Sequence, residues 1–251
     1  MDLPNQLPSH WAAAVAVFLL AGMIKGVIGL GLPTVAMALL ALWMPPAHAA
    51  ALLIVPSLAT NLWQTGPRAT FRPVLRRIGG MQVGIVAGAL GGALWLGVPA
   101  GDWASAALGV ALVAYALWGL GGRQLHVPAG RERWLGPVVG AATGLVTAVT
   151  GVFAVPAVPY MQALGFDRDA LIQAMGISFT TSTVVLAIGL AGNGEYPVSA
   201  LGGSVAMLPP AIGGMALGTW LRKRLPVPVF RRCFLAGLAL LGLYMVARAL
   251  R

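Results

Sequence analysis

Residues 22–33 read G-M-I-K-G-V-I-G-L-G-L-P, and residues 144–156 read G-L-V-T-A-V-T-G-V-F-A-V-P. Small residues fall at one spacing in both: Gly22, Gly26 and Gly29 in the first stretch, Gly144, Ala148 and Gly151 in the second. Each stretch lies inside an apolar segment and interrupts it with glycine and proline, which let backbones approach closely and release amides and carbonyls from the helical ladder. Inside a bilayer such freed groups are tolerated only against protein or water. Two Gly/Pro-interrupted apolar segments at matching places in two halves are the pattern that marks a transporter's binding region.

Composition supports a membrane setting. Of 251 residues, 59% are hydrophobic and 9% charged, and the mean hydropathy is +0.86. Uncharged runs long enough to cross a bilayer recur at 3–24, 26–67, 78–101, 103–122, 134–166, 170–194, 196–221 and 233–247. The runs 26–67 and 134–166 are too long for one span. The net charge of +10 does not indicate nucleic acid, because the cations sit in short stretches between apolar segments, without interleaved stacking aromatics. No Lys or Arg precedes the first apolar run, so a cleaved signal peptide is not expected. Cys233 is the single cysteine, and His10, His48 and His126 are scattered, which gives no metal-ligand spacing and no cofactor expectation.

Taken in order, the sequence predicts a span from Trp11 towards Gly29, a short segment at 33–43 ending at Pro45-Pro46, and a span at 47–63. A basic loop holding Arg68, Arg72, Arg76 and Arg77 follows, then spans at 78–96 and 103–120 around a turn at Asp102. Arg123, Arg131 and Arg133 lie in the longest hydrophilic stretch. The second half repeats the plan: a span from Leu135 to the Gly151 break, a short segment to Leu164, and a small loop of Asp167, Arg168 and Asp169. Spans at 170–190 and 198–220 then flank a loop with Asn193 and Glu195. A loop with Arg222, Lys223, Arg224, Arg231 and Arg232 leads to a last span ending near Arg248.

The cations choose between topologies. Halves of four spans would be parallel and would place the 222–232 cluster outside. Halves of five segments are inverted, and all three basic clusters then face the cytoplasm while the turns at Asp102 and Glu195 face outward, as the positive-inside rule requires. The expectation is an all-α polytopic membrane protein of two inverted repeats, 1–122 and 134–251, joined by a cytoplasmic linker at 123–133, with both termini outside. The rule leaves open whether the short segments cross fully or re-enter.

These residues resemble the sulfite exporter TauE/SafE family of membrane transporters. The resemblance is carried by the G-x3-G-x2-G run in each half, by G-V-F-A-V-P-A-V-P from Gly151, by the glycine-rich span at 84–92, and by G-G-M-A-L-G-T-W-L-R-K-R-L-P at 213–226. It covers essentially the whole chain in two copies. The sequence departs from the family's G-x-G-G-G after the third glycine, with Leu30 and Leu32 in one half and Val152, Phe153 and Ala154 in the other. The resemblance implies movement of sulfur-containing anions, such as sulfite or small organosulfonates, across the bacterial inner membrane.

Lys25 is the charged residue deepest in an apolar segment, and an ammonium there costs roughly 2.5–3.5 kcal/mol on insertion scales unless it finds a partner. The six acidic residues, Asp2, Asp102, Glu132, Asp167, Asp169 and Glu195, all fall in loops or at segment ends. An anionic substrate is then the partner of Lys25, against the plainer reading that it snorkels to an interface. The backbone breaks add exposed amides at Gly26, Gly29, Gly31 and Gly151, beside Thr34, Thr147 and Thr150. Ser57, Thr60, Asn61 and Gln64 in one half, and Ser178, Thr180, Thr181, Ser182 and Thr183 in the other, would meet under inverted symmetry. The substrate-binding candidates are Lys25, Gly26, Gly29, Gly31, Thr34, Ser57, Asn61, Thr147, Thr150, Gly151, Ser178, Thr181 and Ser182. Interhelical hydrogen bonding or back-bonding to the preceding turn is the competing use of each hydroxyl. Gln82 and Gln173 read as interfacial, the tryptophans as a belt at span ends, and His48 as a loop residue.

Paired carboxylates, a metal cluster and a nucleophile with its base are all missing from the spans, so an enzyme is not expected. With no carboxylate there for proton or sodium coupling, the membrane potential suffices to drive an anion outward, at about 2.3 kcal/mol per charge per 100 mV. The partners implied are a small anion and the lipid bilayer, with no nucleic acid; the glycine-rich faces also suit a homodimer. The residues alone leave open a non-transporting membrane subunit or a carrier of another small organic anion.

Overall fold

Glycine, proline and charge set where the helices begin and end. The computed structural model describes residues 7–66, 68–97, 101–122, 125–194 and 198–250. Helix α1 (Leu7–Ile28) ends where Gly29 and Gly31 take left-handed backbone, at φ 88° and 120°, which residues with a Cβ avoid. Short α2 (Leu32–Leu40) carries Pro33 in its first turn and long α3 (Pro46–Gln64) starts on proline, where the missing N–H would have had no partner. Then come α4 (Arg68–Leu96), α5 (Gly101–Leu120) and a 3₁₀ turn at Ala129–Arg131. Helix α6 (Glu132–Thr150) stops at left-handed Gly151, and short α7 (Ala157–Ala163) follows the break. Helix α8 (Arg168–Gly192) is capped by Asp167, whose Oδ1 accepts from the Ala170 amide at 2.8 Å. The chain closes with α9 (Val198–Ala206), α10 (Leu208–Leu221) and α11 (Val227–Ala249).

The protein is all-helical, with no strand among the described residues, and six segments are long and apolar enough to cross a membrane: α1, α4, α5, α8, α9 with α10, and α11. The two expected breaks fall where the sequence placed them. Several loop expectations are corrected. Arg72, Arg76 and Arg77 lie on the first turns of α4, Arg168 and Asp169 on the first turn of α8, and Arg231 and Arg232 on α11. Helices extend past their apolar stretch because long cationic side chains are good helix formers. His48 is on the first turn of α3. The span expected at 198–220 is divided at Met207, because Pro209 and Pro210 supply no amide to the turn before them. Asp2, Arg123 and Glu195 lie outside the described residues.

Packing rests on bare backbone. Helix α1 lies on α10, where a Cβ at Gly22 or Gly26 would come within 2.2 and 2.3 Å of the Ala211 and Met215 carbonyl oxygens. Gly214 and Gly218 return the contact, each 2.0 Å from the Leu19 and Met23 carbonyls by the same measure. Helices α4 and α6 repeat the arrangement, with Gly84 and Gly88 against the Pro137 and Ala141 carbonyls, and Gly140 and Gly144 against those of Met81 and Ile85. Helices α5 and α11 meet through Gly109 and Gly242, each facing the other's carbonyl oxygen. Between these crossings α3 packs on α8, and α4 also reaches α8.

Two details fix the ends and the middle. Pro56 leaves the Leu52 carbonyl without its helical donor, and Ser204 of α9 supplies one at 2.9 Å while accepting from the Val55 amide at 3.0 Å. At one end of the bundle Arg77 bonds both the Glu132 carboxylate and the Leu164 carbonyl, each at 2.7 Å, and its guanidinium lies over Phe166. That end also gathers Trp118, His126, Gln162 and Arg231 around one cavity. The opposite end of α5 gathers Asp102, Ser105 and Arg248 around another, with Arg248 donating to the Leu42 carbonyl at 3.0 Å. Seven of the tryptophans, including Trp63 and Trp95, are exposed and stand near helix ends, as a belt requires.

Candidate functional site

Helix α3 presents Ser57, Thr60, Asn61 and Gln64 at i, i+3, i+4 and i+7, which is one helical face. Helix α8 presents Ser178 and Ser182 one turn apart, with Thr183 beside them. Where α3 meets α8, the Asn61 side-chain amide donates to Thr183 Oγ1 at 3.4 Å. The expected meeting of the two polar clusters is therefore present at this one contact.

Lys25 enters from α1. It is 1% exposed, and its ammonium donates to Thr60 Oγ1 at 3.0 Å and to Asn61 Oδ1. Both partners are neutral, and among the described residues no carboxylate bonds to Lys25. An ammonium can only donate, so Asn61 must turn its oxygen to Lys25 and its nitrogen to Thr183. Thr60 in turn donates to the Pro56 carbonyl at 2.7 Å, and Thr183 to the Phe179 carbonyl at 2.6 Å. An ammonium carries three N–H donors, and these bonds use two.

The serines behave differently from the threonines. Thr180, Thr181 and Thr183 each bond the carbonyl four residues back, at 2.7, 3.1 and 2.6 Å. Ser57 and Ser182, both fully buried, have hydroxyls with no hydrogen-bond partner in the protein. Buried hydroxyls are ordinarily paired, and an unpaired one costs about 1–3 kcal/mol. Such atoms are where a polar ligand would be received.

Gln64 sits at the margin of this cluster. Its amide donates to the Gly29 carbonyl at 2.5 Å, so its Oε1, buried and without a partner, is fixed as an acceptor. On its other side it lines a cavity of about 570 Å³ with Trp63, Thr70, Asp167, Ile172 and Gln173. The first break is thus tied to α3 by a side chain that also faces an open vestibule.

Other expected positions take structural roles. Gly26 belongs to the α1–α10 crossing. Thr147 back-bonds to the Thr143 carbonyl at 2.8 Å and Thr150 to that of Val146 at 2.7 Å, while the Val152 amide donates to Thr150 Oγ1 at 3.1 Å. These two threonines secure the end of α6, and Gly151 packs on Met37. Thr34 is buried in the first turn of α2, and Gly31 faces Ile24 and Phe234. Of the expected residues, Lys25, Ser57, Asn61, Ser178 and Ser182 are buried on α1, α3 and α8, and Thr181 is half-buried on α8. Gln82 is added to them: it is 9% exposed and donates to Ser178 Oγ at 2.9 Å. With the basic residues before it on the same helix, Gln82 falls midway along α4.

A family model described as "Sulfite exporter TauE/SafE" matches residues 14–245, nearly the whole chain. The chain belongs to the TauE/SafE family. Membership in this transporter family, together with the apolar helices, makes it a multi-pass membrane protein and indicates a transporter of sulfur anions. No curated protein and no solved structure matches it.

Proposed function

We propose that this TauE/SafE chain exports a small sulfur oxyanion, sulfite or a small organosulfonate, across the bacterial inner membrane. The substrate is held between α1, α3 and α8, and two inverted repeats, 1–122 and 134–251, expose it alternately to the two sides. The crosswise pairing supports the repeats: the first helix of each half lies on the fourth of the other, the third helices lie on each other, and so do the fifth. The gathering of Arg77, His126 and Arg231 at one end supports that end as cytoplasmic, with the linker at 123–133 and both termini following from it.

The observation that carries the reading is Lys25. A buried cation bonded only to neutral groups retains an unanswered charge, and a monoanion would balance it. The unpartnered hydroxyls of Ser57 and Ser182 add donors suited to sulfonate or sulfite oxygens. The potential across the inner membrane drives such a charge outward without a coupled ion. Opening towards the vestibule would break the bond between Gln64 and the Gly29 carbonyl.

The test is anion-induced thermal stabilisation of the purified protein across sulfite, sulfate, thiosulfate, small sulfonates and carboxylates, in parallel for wild type and Lys25→Ala. Stabilisation by sulfur oxyanions that disappears in the variant is the expected result. Stabilisation by none of them overturns the proposal, and stabilisation that survives in Lys25→Ala displaces the site.

A further inference from the structure

At the end of the bundle where Arg77 lies, a cavity of about 530 Å³ takes no part in the proposed transport path. Its walls are the last turn of α5, the chain at 125–126, one face of α7 and the start of α11. Pro159, Gln162 and Ala163 face it from α7, whereas Met161, on the other side of that short helix, meets Ser178 of α8. Helix α7 therefore stands between this cavity and α8. The Val127 amide donates to the Ala163 carbonyl at 3.0 Å, which pins the chain beside His126 to the end of α7.

The polar side chains on these walls can all donate hydrogen bonds. Arg231 brings a fixed charge and five N–H donors, the His126 ring offers at least one N–H in either protonation state, and Gln162 adds an amide. No carboxylate lines the cavity, and among the described residues neither Arg231 nor His126 makes an ion pair. Glu132, which lies within electrostatic reach of His126, is already bonded by Arg77. An anion is what these walls are short of. Trp118 and the exposed Leu125 line the same space, and Leu117 and Leu120 are exposed on the adjoining turn of α5. An indole among apolar side chains marks the level where headgroups meet acyl chains. Donors and exposed apolar groups around one space fit an amphiphile with an anionic head better than a free ion. The cavity at the opposite end of α5 is built in the same way, from the end of α2, the start of α5 and the end of α11, yet Asp102 lines it together with Arg248. The excess of cations thus belongs to one of the two.

We infer that this cavity binds the phosphodiester headgroup of an anionic phospholipid, with Arg231 and His126 as its principal contacts and the acyl chains along the exposed leucines of α5. The proposed function contributes only the placing of this end in the cytoplasmic leaflet, whose lipids carry the negative charge. Basic pockets between membrane helices on that side are suited to such headgroups. A lipid held there ties α7, the short helix that follows the Gly151 break, to the pair formed by α5 and α11.

The test is native mass spectrometry of the full chain in a neutral detergent, with phosphatidylglycerol and phosphatidylcholine of identical acyl chains as probes. Wild type is expected to bind the first phosphatidylglycerol about tenfold or more tightly than the first phosphatidylcholine. The double variant Arg231→Gln/His126→Gln brings the two constants close together, while Arg248→Gln in the opposite cavity leaves their ratio as in wild type. Arg231, His126 and Arg248 are all exposed, so the substitutions open no core, and circular dichroism melts verify that each variant is folded. Inorganic phosphate and glycerol 3-phosphate at the lipid's own concentration leave phosphatidylglycerol bound. Equal binding of the two lipids by wild type overturns the inference, and so does an undiminished preference in the double variant. An equal loss in Arg248→Gln overturns it by assigning the preference to surface charge at large, and displacement by either soluble phosphate overturns the lipid as occupant. The readout is lipid binding in detergent, so each of these failures leaves the Lys25 site standing.

Discussion

Alanine at Gly88 and alanine at Gly91 lie three residues apart on α4 and act with opposite sign. A Cβ at Gly88 would stand 2.0 Å from the Ala141 carbonyl oxygen and 2.8 Å from the Ala141 Cα, backbone atoms that no side-chain rotation moves aside. At Gly91 nothing lies within 4 Å. Ordinary contact starts near 3.4 Å, so Gly88→Ala forces α6 back by more than an ångström and parts the crossing on both sides of it. Overpacking of this kind costs about 1–3 kcal/mol. Gly91→Ala meets no neighbour and gains roughly 0.5–1 kcal/mol of helix preference. For a chain of this length each kcal/mol moves the midpoint by roughly 2–4 °C, so the two variants melt on opposite sides of wild type. The assay is thermal unfolding in detergent followed by circular dichroism. The counterpart crossing supplies a replicate, because Gly218 meets the Met23 carbonyl at 2.0 Å whereas Gly213 meets nothing. If Gly88→Ala melts at or above Gly91→Ala, the close backbone approach is not what holds α4 to α6.

Three further outcomes follow from the hydrogen bonds. Asn61→Asp gives Lys25 a carboxylate in place of an amide oxygen, so calorimetry should show anion affinity falling at least about tenfold without loss of melting temperature; unchanged affinity would mean the anion does not depend on an unanswered Lys25 charge. Ser204→Ala strips the donor from the Leu52 carbonyl at Pro56 and costs about 1–3 kcal/mol in melts. Pro56→Ala in the same background restores the helix's own donor, and an equal loss with and without proline would refute the coupling. The hydrogen bond from Arg77 holds the Glu132 carboxyl below its ordinary range against the opposing effect of burial, and the Arg77 charge adds a smaller lowering. A lowered folded-state value means the contribution is whole above the unfolded glutamate range and is lost as pH falls through the lowered value. Being open to solvent on the Arg77 side, the pair adds only about 0.5 kcal/mol, so Glu132→Gln should flatten a shallow acid limb of melting temperature between neutral and acidic pH.

Much of this architecture was legible because apolar length, glycine and proline act locally. Gly29 and Gly151 end helices for reasons contained in their own residue type, and Pro33 and Pro46 open helices for the same kind of reason. The glycine spacing on α4 announced a close crossing, although not which helix would fill it, since that partner comes from the other half. The division at Met207 was missed because the run is apolar throughout and a proline pair shifts the backbone without ending the hydropathy signal. The burial of Lys25 among polar side chains was foreshadowed in the sequence, where one charge stands out against apolar neighbours. The back-bonding of Thr147, Thr150 and Thr181 was not legible, because a threonine that bonds its own helix and a serine that keeps its hydroxyl free look alike in sequence. Gln82 was read as interfacial because the basic turns before it were read as loop, whereas they continue α4 and leave Gln82 midway along it.

The glycine crossings also bear on how the chain is made. Each of the three closest pairs joins an early helix to a late one: α4 to α6, α5 to α11, and α1 to α10. Helix α1 is synthesised first, yet the surface shaped to meet Gly22 and Gly26 is among the last to leave the ribosome. Until then its bare backbone has only lipid against it, and the same is true of Gly109 on α5 until Gly242 arrives. The first half is thus a set of inserted helices awaiting assembly, and tertiary closure is delayed to the end of translation. A chain interrupted after α5 would hold its helices in the bilayer with every one of these grooves unfilled.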